Sequence, residues 1–318
     1  MVVMSQITSL VDPPFWKTAE GLARPYVDSL SSCYVELRLG TARSERADFL
    51  FALDERPSSR EAMAADGLEA LWDAWPWLGP KPQIWLEYDG VDSGRPSRPS
   101  PSLCLVPGYG RDRSQRTKPE HSRLELLDAF AAAVGADPDM VARVRSCAEH
   151  MSAIHFSVMV GRSPVSHKLY CAVPLADAVT CLRRVGWRGP RDELEGLLAQ
   201  LYHPSWAGDE LYLDLTLDDL DRPGGNRVGL VLPQQHLDAP GADLGRCRFL
   251  SECMDLALCT VEQGHELAEV SPRQIVELRG YPFAMTRWND YKIVWEPREG
   301  LALKVYLGFG FRPAGLFG

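Results

Sequence analysis

The chain has 318 residues, 45% of them hydrophobic, enough to bury a sizeable core as one large domain or two ordinary ones. Its 34 basic and 43 acidic side chains give a net charge of -9, which argues against broad binding to nucleic acid or to an anionic membrane, either of which needs a dominating basic face, and leaves room for local basic spots. No stretch reaches the roughly 18 uninterrupted apolar residues of a membrane helix, and the start Met-Val-Val-Met-Ser-Gln lacks the basic and apolar regions of a signal peptide, so a cytoplasmic protein is expected.

Asp12-Pro13-Pro14 reads as an N-cap followed by proline in the first turn, opening a helix to about Ser31. A strand, Tyr34 to Leu39, and its hairpin partner, Asp48 to Leu53, follow. Ser58-Ser59 caps a helix in which Leu68, Leu71, Trp72, Trp75 and Leu78 recur at helical spacing, which assigns the tryptophans to the core. A second strand pair spans Ile84 to Asp89 and Leu103 to Val106. Helical sequence from Ser122 to His150, broken around Gly135 to Pro138, leads to a third pair, Ile154 to Val160 and Lys168 to Val173. Two short helices precede the fourth pair, Leu211 to Leu217 and Arg227 to Leu232, turned by Arg222-Pro223-Gly224-Gly225-Asn226. Helices from Leu244 to Glu266 and Pro272 to Leu278 are predicted before the fifth pair, Lys292 to Trp295 and Leu301 to Phe309.

In every pair, polar and apolar residues alternate. Successive side chains of a strand point to opposite faces, so one face packs on an apolar layer while the other presents Tyr, Glu, Arg and Lys. Hairpins separated by helices favour an antiparallel sheet, and closing ten strands on themselves removes their exposed edges. The predicted fold is therefore α+β: residues 1–318 form a single domain, a ten-stranded antiparallel β-barrel in a ring of α-helices, with the polar faces meeting in the lumen. The lumen-facing set is Tyr34, Glu36, Arg38, Trp85, Glu87, His155, Ser157, Met159, Lys168, Tyr170, Tyr212, Asp214, Arg227, Lys292, Lys304 and Tyr306.

Two Lys-x-Tyr pairs, Lys168-Leu169-Tyr170 and Lys304-Val305-Tyr306, each place a cation and a phenol on one strand face about 7 Å apart. These pairs, with the helix-strand-strand order, resemble the ABBA prenyltransferases, whose αββα repeats, about five of them, build such a barrel around an isoprenyl diphosphate and its acceptor. Within that superfamily the chain is most similar to the cyanobactin peptide prenyltransferases. Glu36 in Val35-Glu36-Leu37 matches their N-terminal glutamate by position, and Val158-Met159-Val160-Gly161-Arg162 followed by Lys168 resembles their third hairpin. Their diphosphate-contacting arginine near the start of the second strand aligns best with Asp48, two residues after Arg46, which shares its face.

The resemblance implies transfer of an isoprenyl group to a peptide side chain, with Mg2+ accompanying the diphosphate rather than held by protein side chains. Independently of it, ionising an allylic diphosphate needs cations on the leaving group, aromatic faces beside the carbocation and a dry site. Arg46, Arg162, Lys168, Lys292 and Lys304 are the candidate clamp, and Tyr170, Tyr212 and Tyr306 the candidate shield. Glu36 is the candidate base for the acceptor's proton, with Tyr34, Trp85 and His155 as candidate acceptor contacts. The expected partners are an isoprenyl diphosphate and a peptide, with the protein a monomer. Two other readings stay open: prenylation of a small aromatic molecule, and a barrel that has lost the chemistry and serves as a peptide-binding or assembly factor. Glu36 with Arg38 also reads as a structural ion pair, and Asp218-Asp219-Leu220-Asp221 as solvated turn residues rather than a metal site. The eight cysteines show no zinc-finger spacing and are expected to be reduced core residues.

Overall fold

The computed structural model describes residues 11, 13–40, 47–78, 82–91, 100–106, 120–148, 151–202, 210–220, 226–232, 242–268, 273–278 and 281–313. Eight strands follow one another around the ring as β1 (Leu30–Arg38), β2 (Ala47–Leu53), β3 (Gln83–Val91), β4 (Ser102–Val106), β5 (Ser152–Met159), β6 (Ser166–Pro174), β7 (Glu210–Thr216) and β8 (Val228–Leu232). Among the described residues β9 (Arg273–Leu278) pairs only with the start of β10 (Tyr281–Glu296), and β10 joins β8 to β11 (Gly300–Pro313). Because β11 pairs with both β10 and β1, ten antiparallel strands close into a barrel. Arg46 lies outside the described residues.

Neighbouring strands of the ten-strand ring run in opposite directions, so the direct connections β1–β2, β3–β4, β5–β6, β7–β8 and β10–β11 leave from one end of the barrel, while the β9–β10 connection leaves from the other. The connections that carry helices meet at the other end. The helices among the described residues are α1 (Pro13–Ala23), α2 (Arg60–Ala65), α3 (Glu69–Ala74), α4 (Glu120–Val134), α5 (Pro138–Ala148), α6 (Ala178–Arg184), α7 (Arg191–Leu201), α8 (Ala242–Asp255) and α9 (Val261–Ala268). Their boundaries follow local chemistry. Ser59 caps α2 by accepting the Ala62 N–H at 3.0 Å. Gly135, at φ +64°, ends α4 in the left-handed conformation that lets Ala136 N–H reach back to the Ala131 carbonyl at 2.9 Å.

The core lies between the barrel's outer face and the helices. Val35, Leu37, Phe49, Phe51, Leu86, Phe156, Leu169, Leu213, Ile293 and Val305 point outward and are buried. Phe15 of α1 meets Phe49 edge-on at 6.3 Å, and Trp16 meets Phe309 at 6.1 Å. Each such side chain contributes about 1.5–3 kcal/mol through removal from water. Trp75 is buried as predicted, and Trp72 is half-buried beneath the Arg56 guanidinium. Cys147, Cys171, Cys181, Cys253 and Cys259 are free and buried.

Four sequence-based expectations are corrected. The first helix stops at Ala23, a 3-10 turn covers Arg24–Tyr26, and β1 already begins at Leu30. The segment Pro272 to Leu278, predicted helical, contains β9 instead, because it finds a partner in Tyr281–Thr286. β10 starts at Tyr281 rather than Lys292, since β11 pairs with it from Phe283 to Glu296 and β9 with Tyr281 to Thr286. Asp218 is not a free turn residue: its carboxylate accepts the His167 backbone N–H and meets the ring Nδ1 at 3.2 Å. For β9 and β10 long-range pairing outweighed local propensity.

Candidate functional site

The inner face is polar and remains partly open to solvent. Tyr34, Trp85, Lys168, Tyr170, Lys304 and Tyr306 are half-buried, whereas their outward-facing chain neighbours Val35, Leu86, Leu169 and Val305 are fully buried. The alternation predicted from sequence therefore lines a lumen that solvent reaches.

Charge and aromaticity are sorted within that lumen. Toward the end with the direct strand connections, Lys168, Lys292 and Lys304 converge from β6, β10 and β11 upon two carboxylates. Lys292 Nζ lies 2.7 Å from Asp214 Oδ2 and 3.7 Å from Glu36 Oε2. Lys304 Nζ bonds Glu36 Oε1, and Lys168 Nζ stands 4.0 Å from Asp214. Burial alone would raise both carboxyls, but the lysines overcome it: Lys292, Lys304 and Lys168 hold Glu36, and Lys168 and Lys292 hold Asp214, well below the usual carboxylate range. Lys292 is 3% exposed; burial disfavours its charge, yet Asp214 and Glu36 keep it more firmly protonated than an ordinary lysine. Lys304 moves the other way, because burial and the adjacent Lys292 outweigh Glu36. Gly229 makes the Asp214 to Lys292 contact possible: a β-carbon there would sit 2.9 Å from Asp214 Cβ and 3.1 Å from Lys292 Cδ.

Beside this belt stand two aromatic groups. On one wall Tyr34 packs against Trp85 at 4.9 Å, Trp288 at 5.4 Å and Tyr306 at 6.4 Å. The Trp288 indole N–H donates to the Tyr34 hydroxyl at 2.7 Å, and the ring lies across Gly308, where a β-carbon would collide with it, and close to Gly310, where one would sit 3.2 Å away. On the other wall His155 stacks on Tyr170 at 4.8 Å, and Tyr170 meets Tyr212 at 5.5 Å. Lys292 lies 5.0 Å from the Tyr306 ring centroid, joining belt and wall through a cation–π contact. Burial pushes the Tyr170 and Tyr306 hydroxyls well above the ordinary tyrosine value and pulls His155 down to about 4, so all three are neutral at neutral pH.

A second charged group sits at the rim. Arg162 Nε and a terminal nitrogen each reach Asp89 at 2.6 Å, and that nitrogen also meets Glu87 at 3.0 Å. Asp48, Glu87 and Asp89 bring carboxylate oxygens within 4.8 Å of one another. Burial and the surrounding carboxylates raise Asp48 to about 6 and Glu87 to about 7. Hard oxygen donors of this kind suit Mg2+ in type, but Arg162 already bridges two of the three, Glu87 and Asp89, which makes the group a salt-bridge cluster.

Glu87 gives a prediction whose sign is fixed. Its carboxyl titrates higher in the folded chain, so folded protein binds the extra proton between about 4.5 and about 7, and the stability contribution is lost as pH rises through that window. The unfolding free energy of the wild type relative to Glu87→Gln should fall over that range in denaturant titrations. Parallel pH curves would show that Glu87 is not so shifted.

Most of the sequence-derived candidates meet in this lumen: Glu36, Lys168, Lys292, Lys304, Tyr170, Tyr212, Tyr306, Tyr34, Trp85 and His155. Arg162 is committed to Asp89 and Glu87 at the rim. Arg38, assigned to the lumen from its alternation, is exposed at the end of β1, which removes the Glu36 to Arg38 ion pair. Three participants were not singled out. Asp214 was placed in the lumen without its role as the counter-ion of Lys292, and Asp89 was not seen as a partner of Arg162. Trp288 lies before the predicted start of β10, in a segment that becomes strand through its pairing with β11.

The fold and site define a closed antiparallel barrel with an ionisable, aromatic lumen, an architecture compatible with the ABBA barrel. No protein-family model matches the chain, and no curated protein matches it. Among the described residues, no helix is long and apolar enough to cross a membrane.

Proposed function

We propose that this chain is a peptide prenyltransferase, which transfers an isoprenyl group from an allylic diphosphate, such as the dimethylallyl or geranyl ester, to a side chain of a ribosomally made peptide. The observation that carries this reading is the convergence of Lys168, Lys292 and Lys304 beside the Tyr34, Tyr170, Tyr212, Tyr306, Trp85 and Trp288 rings. Helices flanking successive hairpins suit the ABBA repeat in addition. The lysines bind the diphosphate oxygens, and their charge stabilises the leaving group as the carbon–oxygen bond breaks. The tyrosine and tryptophan faces beside the lysines would attract a delocalised cation through their quadrupoles. The acceptor attacks carbon, and its proton passes to Glu36. Mg2+ carried in with the diphosphate would neutralise part of its charge.

Replacing Lys168 or Lys304 with Ala should weaken diphosphate binding by about 1.5–3 kcal/mol, the worth of a charge-assisted hydrogen bond, and leave the fold intact. Unchanged affinity in both variants, measured by calorimetry, would remove them from the site. The reaction itself is tested by offering five-, ten- and fifteen-carbon diphosphates with candidate peptides and reading the mass gain. One observation supports a second reading, a barrel without chemistry: the lysines are already neutralised by Glu36 and Asp214. Diphosphate binding with no mass gain for any donor and peptide would favour it.

A further inference from the structure

Every lysine of the charged belt faces a carboxylate of the protein itself. Glu36, on β1, is met by Lys304 and the Tyr306 hydroxyl from β11, by Lys292 from β10 and, at longer range, by Lys168 from β6. Its anionic neighbours are Asp48 on β2, Glu87 on β3 and Asp214 on β7. Asp290 on β10 stands opposite Tyr306, and Arg162 and Asp89 form their own pair at the rim. The described belt and rim thus hold four cations, Arg162, Lys168, Lys292 and Lys304, against at least five carboxylates, Glu36, Asp48, Glu87, Asp89 and Asp214. A diphosphate entering such a lumen finds no cation without a partner among them. It can be bound only if the lysines exchange one anion for another, which leaves a carboxylate behind in a low-dielectric site.

We propose that Glu36 and Asp214 are placeholders for the donor's diphosphate: on donor entry Lys292 and Lys304 turn to the phosphate oxygens, and Glu36, stripped of its cations, becomes a base strong enough to take the acceptor's proton. This inference rests on the reading of the lumen as a diphosphate site and adds an order of events to it. Before the donor arrives, three lysines keep Glu36 a poor proton acceptor, so an acceptor entering alone is not activated. With the donor bound, the same lysines face phosphate. The donor's carbon–oxygen bond then breaks with its electron pair leaving on pyrophosphate, the new bond to the acceptor forms, and the acceptor's proton goes to Glu36. When pyrophosphate departs, the lysines return, Glu36 again favours its charged form, and the proton is released to water.

The geometry permits the exchange without rearranging the barrel. Lys292 reaches two carboxylates on different strands, Asp214 at 2.7 Å and Glu36 at 3.7 Å, so its ammonium stands between them. Gly229 leaves the space over which its chain runs. Long, unbranched lysine side chains swing between such partners by rotation about single bonds, unlike the planar guanidinium of Arg162, fixed on Asp89 by two bonds.

The test is a titration of Glu36 itself. Full-length protein carrying 13C at the glutamate side-chain carboxyl carbon is followed by NMR across pH, with and without saturating inorganic pyrophosphate. The Glu36 resonance is assigned by its loss in Glu36→Gln or, should that variant not fold, in Glu36→Asp. Pyrophosphate should raise the Glu36 titration midpoint by about one to three pH units, the size of effect that opposite charges exert at this range. An unmoved midpoint at a site that calorimetry shows to be saturated would overturn the placeholder role and leave the diphosphate site standing. Absence of pyrophosphate binding would overturn both.

Discussion

Glu36→Gln should lower turnover by about 10²–10⁴ without weakening donor binding, the effect of removing a positioned general base while keeping its shape. Three structural facts support this expectation. Glu36 is 4% exposed, it faces the lumen from the middle of the charged belt, and Lys304 and Lys292 are its cationic partners. Glutamine cannot take up the proton, yet it removes the carboxylate that Lys304 faces and one of the two that Lys292 faces, Asp214 remaining, so donor affinity should hold or increase. The opposing reading is that Glu36 only balances those lysines. In that case the variant would melt at a lower temperature, with two underpartnered lysines in the lumen, and retain its rate per folded molecule. Melting temperature, donor affinity and product formation measured on one preparation separate the two, and full turnover would refute the catalytic role.

The inward and outward faces of most strands were legible in the sequence because alternation is a local property. Tyr34 and Glu36, Lys168 and Tyr170, and Lys304 and Tyr306 each declare a common face within three residues. What alternation cannot show is which residues from distant strands meet. Lys304 is separated from Glu36 by 268 residues and Lys292 from Asp214 by 78, and these contacts arise only through barrel closure, so the pairing of every candidate lysine with a carboxylate stayed hidden. Arg38 shows the converse limit. It has the parity of a lumen residue, but it lies at the last position of β1, where the wall ends and the side chain reaches solvent. The start of β10 is hidden for a related reason: Tyr281 to Tyr291 contains Pro282, Asn289 and Asp290, poor strand formers taken singly, which hold strand geometry because β9 pairs with Pro282 and β11 with Asn289 and Asp290.

Lys292→Met should be the costliest single change in the lumen, lowering the unfolding free energy by about 3–5 kcal/mol, the range for removing one partner of a buried ion pair. Methionine keeps much of the volume and the apolar contact with Tyr306 but removes the charge that Asp214 and Glu36 both use. Lys168, at 4.0 Å from Asp214, and Lys304, on Glu36, would then be the nearest remaining cations. Asp214→Asn in the Lys292→Met background should restore part of the loss, because it removes a carboxylate deprived of its closest partner, and the double-mutant cycle measures that coupling directly. The pH dependence follows from the depressed carboxyls. Their stabilisation is present above the unfolded-state carboxylate range and lost as pH falls through the lower folded-state values. Lys292→Met should therefore flatten the acid limb of the stability curve as well as lower its plateau. A loss below about 1 kcal/mol, the ordinary worth of a solvent-exposed pair, with no coupling to Asp214→Asn, would mean that water screens the belt and that the lysines are not held in place by the carboxylates they face.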